Sequence, residues 1–172
     1  MKNVGILVRT LNYGGAERAA ARISKILSNK YNIYFIVFET TYMKYDYAGT
    51  LINLNVPKSN NLLIKLLRFF KRVKLLKKVK KEKQLDTVIS FLYTPNFVNI
   101  LSKTKNCKTI ISIRNYPYKE NKLTLINRIL EYFKKWIFKK ADLIILVSEE
   151  IKKYCIQEYK FNADKLKVIY NP

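Results

Sequence analysis

The sequence contains no histidine. That absence removes Ser-His-Asp and Cys-His nucleophile pairs, zinc-hydrolase ligand sets and any imidazole acid or base supplied by this chain. Glycine and proline are scarce, four of each in 172 residues, which leaves no room for a long flexible linker. The two cysteines, Cys107 and Cys155, lie far apart and outside any C-x-x-C or Cys/His spacing, as expected of a reduced cytosolic chain. No apolar run approaches the roughly 18 uncharged residues of a membrane span. The one after the first lysine stops at Val8, too short for a signal-peptide core. Acids are few, 12 against 34 Lys+Arg, for a formal net charge of +22.

That charge predicts attraction to polyanions: nucleic acid, phosphorylated ligands or an anionic membrane. Only seven of the basic residues are Arg. The abundant Lys, Asn, Ile, Tyr and Phe share A/T-rich codons, so base composition is a second source of the excess. At 49% hydrophobic and 27% charged residues, the chain has globular composition and the length of one domain.

Short apolar runs recur at residues 4–8, 33–38, 51–54, 87–92, 109–113, 143–147 and 166–170. Most are β-branched or aromatic without strict alternation, the pattern of strands buried on both faces. Helical spacing fills the intervals. Ala16, Ala19, Ala20, Ile23, Ile26 and Leu27 form one stripe, and further helices are expected over about 61–83, 96–103, 123–140 and 149–159. Strands alternating with helices imply a Rossmann-like α/β domain, a mainly parallel sheet with helices on both faces. Such a sheet binds ligands at the carboxyl ends of its strands.

Four loops at those ends carry candidate chemistry. The first, residues 9–18, brings Gly14 and Gly15 together where a strand turns into a helix whose free N–H groups favour an anion, with Asn12 beside them. It is neither a GxGxxG fingerprint nor a P-loop, so a dinucleotide or ATP site loses support, and a tight structural turn is the competing account. Glu17 fits the first helical turn on dipole grounds alone. In the second loop, Thr94 and Pro95 read as N-cap and first helical residue, while Tyr93 and Asn96 are within reach of a ligand. In the third, Arg114 ends a buried strand, a costly place for a cation unless it is paired or at a site edge, and Asn115 follows it. The fourth, Ser148-Glu149-Glu150, satisfies helix-start rules and reads as structural.

The stretches "GILVRTLNYGGAERAAARISKIL", "DTVISFLYTPN", "IISIRNYP" and "KKADLIILVSEEIKKY...KVIYNP" together resemble the amino-terminal, acceptor-side domain of a family 4 glycosyltransferase of the GT-B fold. The likeness is to the subgroup that adds sugars to lipid-linked acceptors in bacterial surface-glycan synthesis. It implies that residues 1–172 are one half of a two-domain retaining enzyme, a hexosyl- or N-acetylhexosaminyl-transferase. On that likeness the glycine loop lies against donor phosphates and acceptor, and a carboxy-terminal nucleotide-sugar domain, absent here, carries the donor. It implies a nucleotide sugar as co-substrate, no cofactor and no metal. Many members place a histidine after the strand matching residues 110–113, where this chain has Arg114 and Asn115, as the lipid-acceptor subgroup does. Arg114 then orients phosphate or acceptor, and the leaving phosphate deprotonates the acceptor. Without the donor half, or a separate chain supplying it, the phosphate clamp is incomplete and no turnover is expected.

The segment NLLIKLLRFFKRVKLLKKVKKEK, residues 61–83, holds ten basic residues and one acid. Its wheel places Leu62, Leu66, Phe69, Phe70 and Val73 on one side and Lys65, Arg68 and Arg72 on another. The expectation is core packing by Leu75, Leu76 and Val79 in the second half. In the first half it is contact of Lys65, Arg68, Phe69 and Arg72 with an anionic membrane, each cation worth about 1 kcal/mol. In residues 123–140 the stripe Ile126, Ile129, Leu130, Phe133, Ile137 reads as core. The chain is thus expected to be cytoplasmic and peripheral on the inner face of the membrane. A basic nucleic-acid-binding module or a non-catalytic scaffold is the alternative, but scarce Arg and the lack of any nucleic-acid motif count against nucleic acid.

Overall fold

A computed structural model describes residues 1–40, 43–114 and 125–170, the side chains of 125–130 excepted. It holds seven strands, β1 (Asn3–Val8), β2 (Asn32–Val37), β3 (Thr50–Asn53), β4 (Thr87–Phe91), β5 (Lys108–Ile113), β6 (Leu143–Leu146) and β7 (Leu166–Val168). Except between β2 and β3, where the described residues hold no helix, they alternate with α1 (Gly15–Leu27), α2 (Leu62–Glu82), α3 (Tyr93–Leu101), α4 (Leu125–Phe138) and α5 (Glu149–Gln157), and a short 3-10 turn spans Ala163–Lys165. All seven strands pair in parallel in the order β3-β2-β1-β4-β5-β6-β7. The Rossmann-like α/β expectation therefore holds.

Both faces of the sheet are covered. Val4, Ile6 and Val8 of β1 pack with Ala16 and Ala20 of α1 on one side. Leu7 faces the other way and meets Leu76 of α2 and Val98 of α3. A third cluster joins Ile111 and Ile144 to Ile137 and Phe138 of α4 and Ile151 and Cys155 of α5. Two acids start strands: Asp86 accepts the Asn3 N–H at 2.7 Å and Asp142 accepts the Thr109 N–H at 2.7 Å. Asp142 also pairs with Lys103.

α3 begins two residues earlier than its Thr-Pro signal indicates. Leu92 is its N-cap, at φ 74° and ψ 161°, so β4 passes into α3 through one residue with no intervening loop. Thr94 lies inside the first turn instead of capping it, and Pro95 is accommodated there because the first-turn N–H groups have no helical partner anyway. α3 is then tied to the sheet by buried side chains. Asn96 accepts from Ser90 Oγ at 2.8 Å and donates to the Ser112 carbonyl at 2.9 Å, while Asn99 donates to the Val88 carbonyl at 3.0 Å.

α2 is rotated from the wheel expectation. Arg72, only 8% exposed, points inward, where its guanidinium donates to the Val56 carbonyl at 2.8 Å and the Pro57 carbonyl at 3.1 Å and lies 4.5 Å over the Phe38 ring. Those carbonyls follow β3, and a cation reaching them from α2 satisfies groups that burial would otherwise orphan. Phe69 and Val73 are half-buried against the same core. Leu62, Leu63 and Leu67 point out, 79%, 73% and 70% exposed. The expected membrane contacts Arg72 and Phe69 are therefore corrected to inward positions. The second half of α2 matches its expectation, with Leu76 buried and Leu75 and Val79 packed beside it. In α4, Ile137 is core but Phe133 is exposed and stacked on Trp136, whose ring carries Lys140 Nζ at 3.3 Å.

Candidate functional site

The strand order reverses direction between β1 and β4: the chain leaves β1 toward β2 and leaves β4 toward β5. The loops after these two strands part and open a crevice at their carboxyl ends, where open α/β sheets take their ligands. Arg114, directly after β5, lies beside it.

The wall after β1 is held in place by backbone pairing. Phe38 N–H donates to the Arg9 carbonyl at 3.0 Å and Lys44 N–H to the Leu11 carbonyl at 3.0 Å, and Leu11 is fully buried. Asn12 Oδ1 accepts the Tyr13 N–H at 2.8 Å, and Lys44 Nζ sits 3.7 Å over the Tyr13 ring. Gly14 is the N-cap of α1 in extended backbone that any residue adopts; a side chain there would have to displace the Glu17 carboxylate. A Cβ there would lie 2.1 Å from Glu17 Oε2, because Glu17 folds back over the start of α1. Gly15 differs: a Cβ there would meet nothing within 4 Å. Protein packing does not demand this glycine, and its bare main chain faces open space.

Across the crevice, Tyr93 stacks on Phe138 with ring centroids 6.4 Å apart and has Lys134 Nζ 4.9 Å over its ring. Burial, with a smaller contribution from Glu131, raises its hydroxyl above the ordinary tyrosine value. Arg114 is half-buried, its guanidinium 5.9 Å over Phe91, and desolvation lowers its proton affinity. A notch of about 10 Å³ between them is lined by Leu92, Tyr93, Asn96, Ser112, Ile113 and Arg114. The strand order thus places Asn12, Gly14, Gly15, Tyr93 and Arg114 at the carboxyl ends of β1, β4 and β5. Asn96 is engaged differently from its expectation: both ends of its amide are spent on Ser90 and Ser112, so it positions α3 rather than reaching out. Asn115 lies outside the described residues. Glu17, which fits the first turn of α1 on dipole grounds, also folds back toward Gly14.

Ser148 caps α5, accepting the Ile151 N–H at 3.3 Å, as its sequence context indicates. Among the described residues no group of three or more His, Cys, Asp or Glu side chains could hold a metal ion, and no helix is long and apolar enough to cross a membrane.

The model of Glycosyltransferase Family 4 matches residues 13–172. This chain belongs to that family. An N-acetylgalactosamine-N,N'-diacetylbacillosaminyl-diphospho-undecaprenol 4-alpha-N-acetylgalactosaminyltransferase of Campylobacter jejuni is 27% identical over 99% of the chain and 48% of its own length. A second enzyme of that organism, a GalNAc-alpha-(1->4)-GalNAc-alpha-(1->3)-diNAcBac-PP-undecaprenol alpha-1,4-N-acetyl-D-galactosaminyltransferase, is 26% identical over 100% of the chain and 46% of its own length. Both act on undecaprenol-linked sugars. Among solved structures, a glycosyltransferase from Rickettsia africae superimposes with a TM-score of 0.68 at 20% identity, over 98% of the chain and 42% of that protein. The chain spans about half the length of the curated relatives it matches, and the family 4, GT-B half-domain reading stands.

Proposed function

We propose that these residues form the acceptor-binding half of a retaining glycosyltransferase that adds a sugar from a nucleotide sugar to a membrane-lipid-linked glycan. The observation that carries the reading is Gly15, a bare main-chain position opening on the crevice for which packing gives no reason, in a family member whose relatives use diphospho-undecaprenol sugars. Asn12, Gly14, Gly15, Tyr93, Arg114 and Asn115 are the candidate substrate contacts. In the transfer, an acceptor hydroxyl oxygen bonds to the sugar's anomeric carbon, the bond to the donor phosphate breaks, and the hydroxyl proton passes to the leaving phosphate. Arg114 offsets charge on a substrate phosphate, while the clamp on the leaving group belongs to a donor-binding domain, in the same polypeptide or a separate one.

Membrane contact is proposed for the first half of α2 at the inner face of the membrane. Leu62, Leu63, Leu66, Leu67 and Phe70 supply exposed apolar surface, and Lys65 and Arg68 the charge, Arg68 while also holding the Pro57 and Lys58 carbonyls. Flotation with anionic and neutral vesicles, run beside a salt-dependent nucleic-acid titration, tests the partner. Binding to anionic vesicles is expected, and tight nucleic-acid binding without lipid binding overturns the proposal. For the crevice, Gly15→Trp is expected to abolish retention of polyprenyl-diphosphate-linked N-acetylgalactosamine with the fold intact by circular dichroism; unchanged retention overturns it.

A further inference from the structure

Lysines that serve neither the crevice nor the first half of α2 gather at the other end of the sheet. An open hollow of about 930 Å³ lies at the amino ends of β1, β4 and β5 and is lined by Lys77, Lys80 and Lys81 of α2, by Lys103 and Lys105 of the loop between α3 and β5, and by Asp86. Five of its twelve lining residues are lysines, against 34 Lys+Arg in the 172 residues of the chain, so the cluster is denser than the general excess of positive charge. Its acid is engaged, since Asp86 accepts the Asn3 N–H at 2.7 Å. Lys103 shares its charge with Asp142. Lys80 does not share its own. It is 2% exposed, where a lysine stem normally carries its ammonium out to water. Its Nζ donates to the Asn99 carbonyl at 2.9 Å, and among the described residues no other group accepts from it and no carboxylate lies within ion-pair distance. That carbonyl already has a donor in Ser102 Oγ at 3.0 Å, so the end of α3 does not need the lysine. Nor does the dipole of α2, which the exposed Lys81 in the same last turn answers from the surface. Ammonium protons are thus left over in a buried group that lacks a counter-charge, a costly arrangement. Burial lowers its proton affinity to about 8, opposed by Cys107 and Asp142 and reinforced by Lys103.

We propose that this hollow binds a small soluble polyphosphate, with Lys80 as its fixed cation and the exposed lysines of α2 and of the 103–106 loop gathered around the phosphate chain. Lysine ammoniums are compact point charges suited to phosphate oxygens. Several in one hollow match several anionic groups in close succession, which a lone carboxylate does not offer. The volume is that of a small-molecule site and too small for a folded partner. A membrane surface is set aside by position: Lys80 lies about 20 Å along α2 from Leu66, counted at the helical rise per residue. The hollow is also at the opposite ends of the strands from the crevice, so the proposal stands whether or not the crevice is the substrate site.

Amide chemical-shift mapping on the 172-residue chain, with inorganic tripolyphosphate as the probe, tests it. Saturable shifts are expected at Gln84, Leu85 and the 103–106 loop. Lys80→Met is expected to weaken that binding at least about tenfold, the scale of a lost hydrogen bond to a charged group. Lys71→Met removes the same charge from an exposed position on α2 outside the hollow, and it is expected to change the affinity less than about twofold. Equal losses in the two variants overturn the proposal, because net charge alone then attracts the anion. Shifts confined to the crevice amides, or no shifts at all, overturn it as well. Flotation with anionic vesicles is the second arm: if Lys80→Met weakens flotation and leaves tripolyphosphate binding unchanged, the hollow serves a lipid surface and the proposal fails. Should Lys80→Met not fold, Lys105→Met, exposed and lining the hollow, takes its place in the comparison with Lys71→Met.

Discussion

Two glycines, Gly15 at the start of α1 and Gly49 just before β3, show what a single residue decides. Gly49 stands at φ +97°, and a Cβ there would lie 2.2 Å from the Ile33 carbonyl oxygen. Gly49→Ala is therefore expected to lower stability by about 2 kcal/mol or more, read as a shift of the urea midpoint. Gly15→Ala is expected to leave that midpoint unchanged or higher, because α1 gains a better helix former and nothing is crowded. Lys80 makes a different residue-scale prediction. Its ammonium is buried between α2 and α3 with the Asn99 carbonyl at 2.9 Å, and burial pushes it down to about 8 from 10.5, against the weaker opposing influence of Cys107 and Asp142. Between those two values the unfolded chain binds more protons than the native one, so stability rises with pH across that window. Below it the full cost of the buried charge remains. The difference amounts to about 3 kcal/mol. Lys80→Met is expected to flatten the rise, seen by comparing urea midpoints at the two ends of the window.

At the scale of elements, α2 separates what patterning shows from what it hides. Its extent, its Asn61 cap, whose Oδ1 accepts the Ile64 N–H at 3.1 Å, and its packed second half follow from residue order. Its rotation does not, because the carbonyls of Val56 and Pro57 that draw Arg72 inward come near only once β3 is placed. Arg72→Met is expected to cost about 1 to 3 kcal/mol by leaving those carbonyls unpaired, whereas the exposed Lys65→Met stays within about 0.5 kcal/mol. Converting Leu63 and Leu67 to Glu is expected to abolish flotation with anionic vesicles at unchanged thermal midpoint. α3 shows a second limit of the same kind. Thr94-Pro95 is a sound start signal, but a leucine at φ 74° is invisible in sequence, and so is the spending of Asn96 on Ser90 and Ser112. The glycine loop and Arg114 were legible because each breaks a local rule, a double glycine at a strand end and a cation after an apolar strand. Glu17 broke none: its place in the first turn of α1 was legible, and only its fold-back toward Gly14 was not.

At the scale of the molecule, the purified 172-residue chain is expected not to transfer sugar from a nucleotide donor; steady product formation in a radiolabelled-sugar assay would refute that. The seven-strand order was readable as alternation, but not as the order itself, since apolar runs carry no record of which strand becomes the neighbour of which. That order has a kinetic consequence. β1 lies between β2 and β4, and Val4 finds its partner Thr87 only at a separation of 83 positions along the chain. Local pairing cannot finish the centre of the sheet, and long-range closure is the slow part of folding. During synthesis β1 is thus made well before its partner β4 and is secured only once that strand exists. Pulse-labelling hydrogen exchange during refolding is expected to find β1 amides protected later than those of α2, so that the crevice closes into shape only when the chain has folded back upon its own beginning.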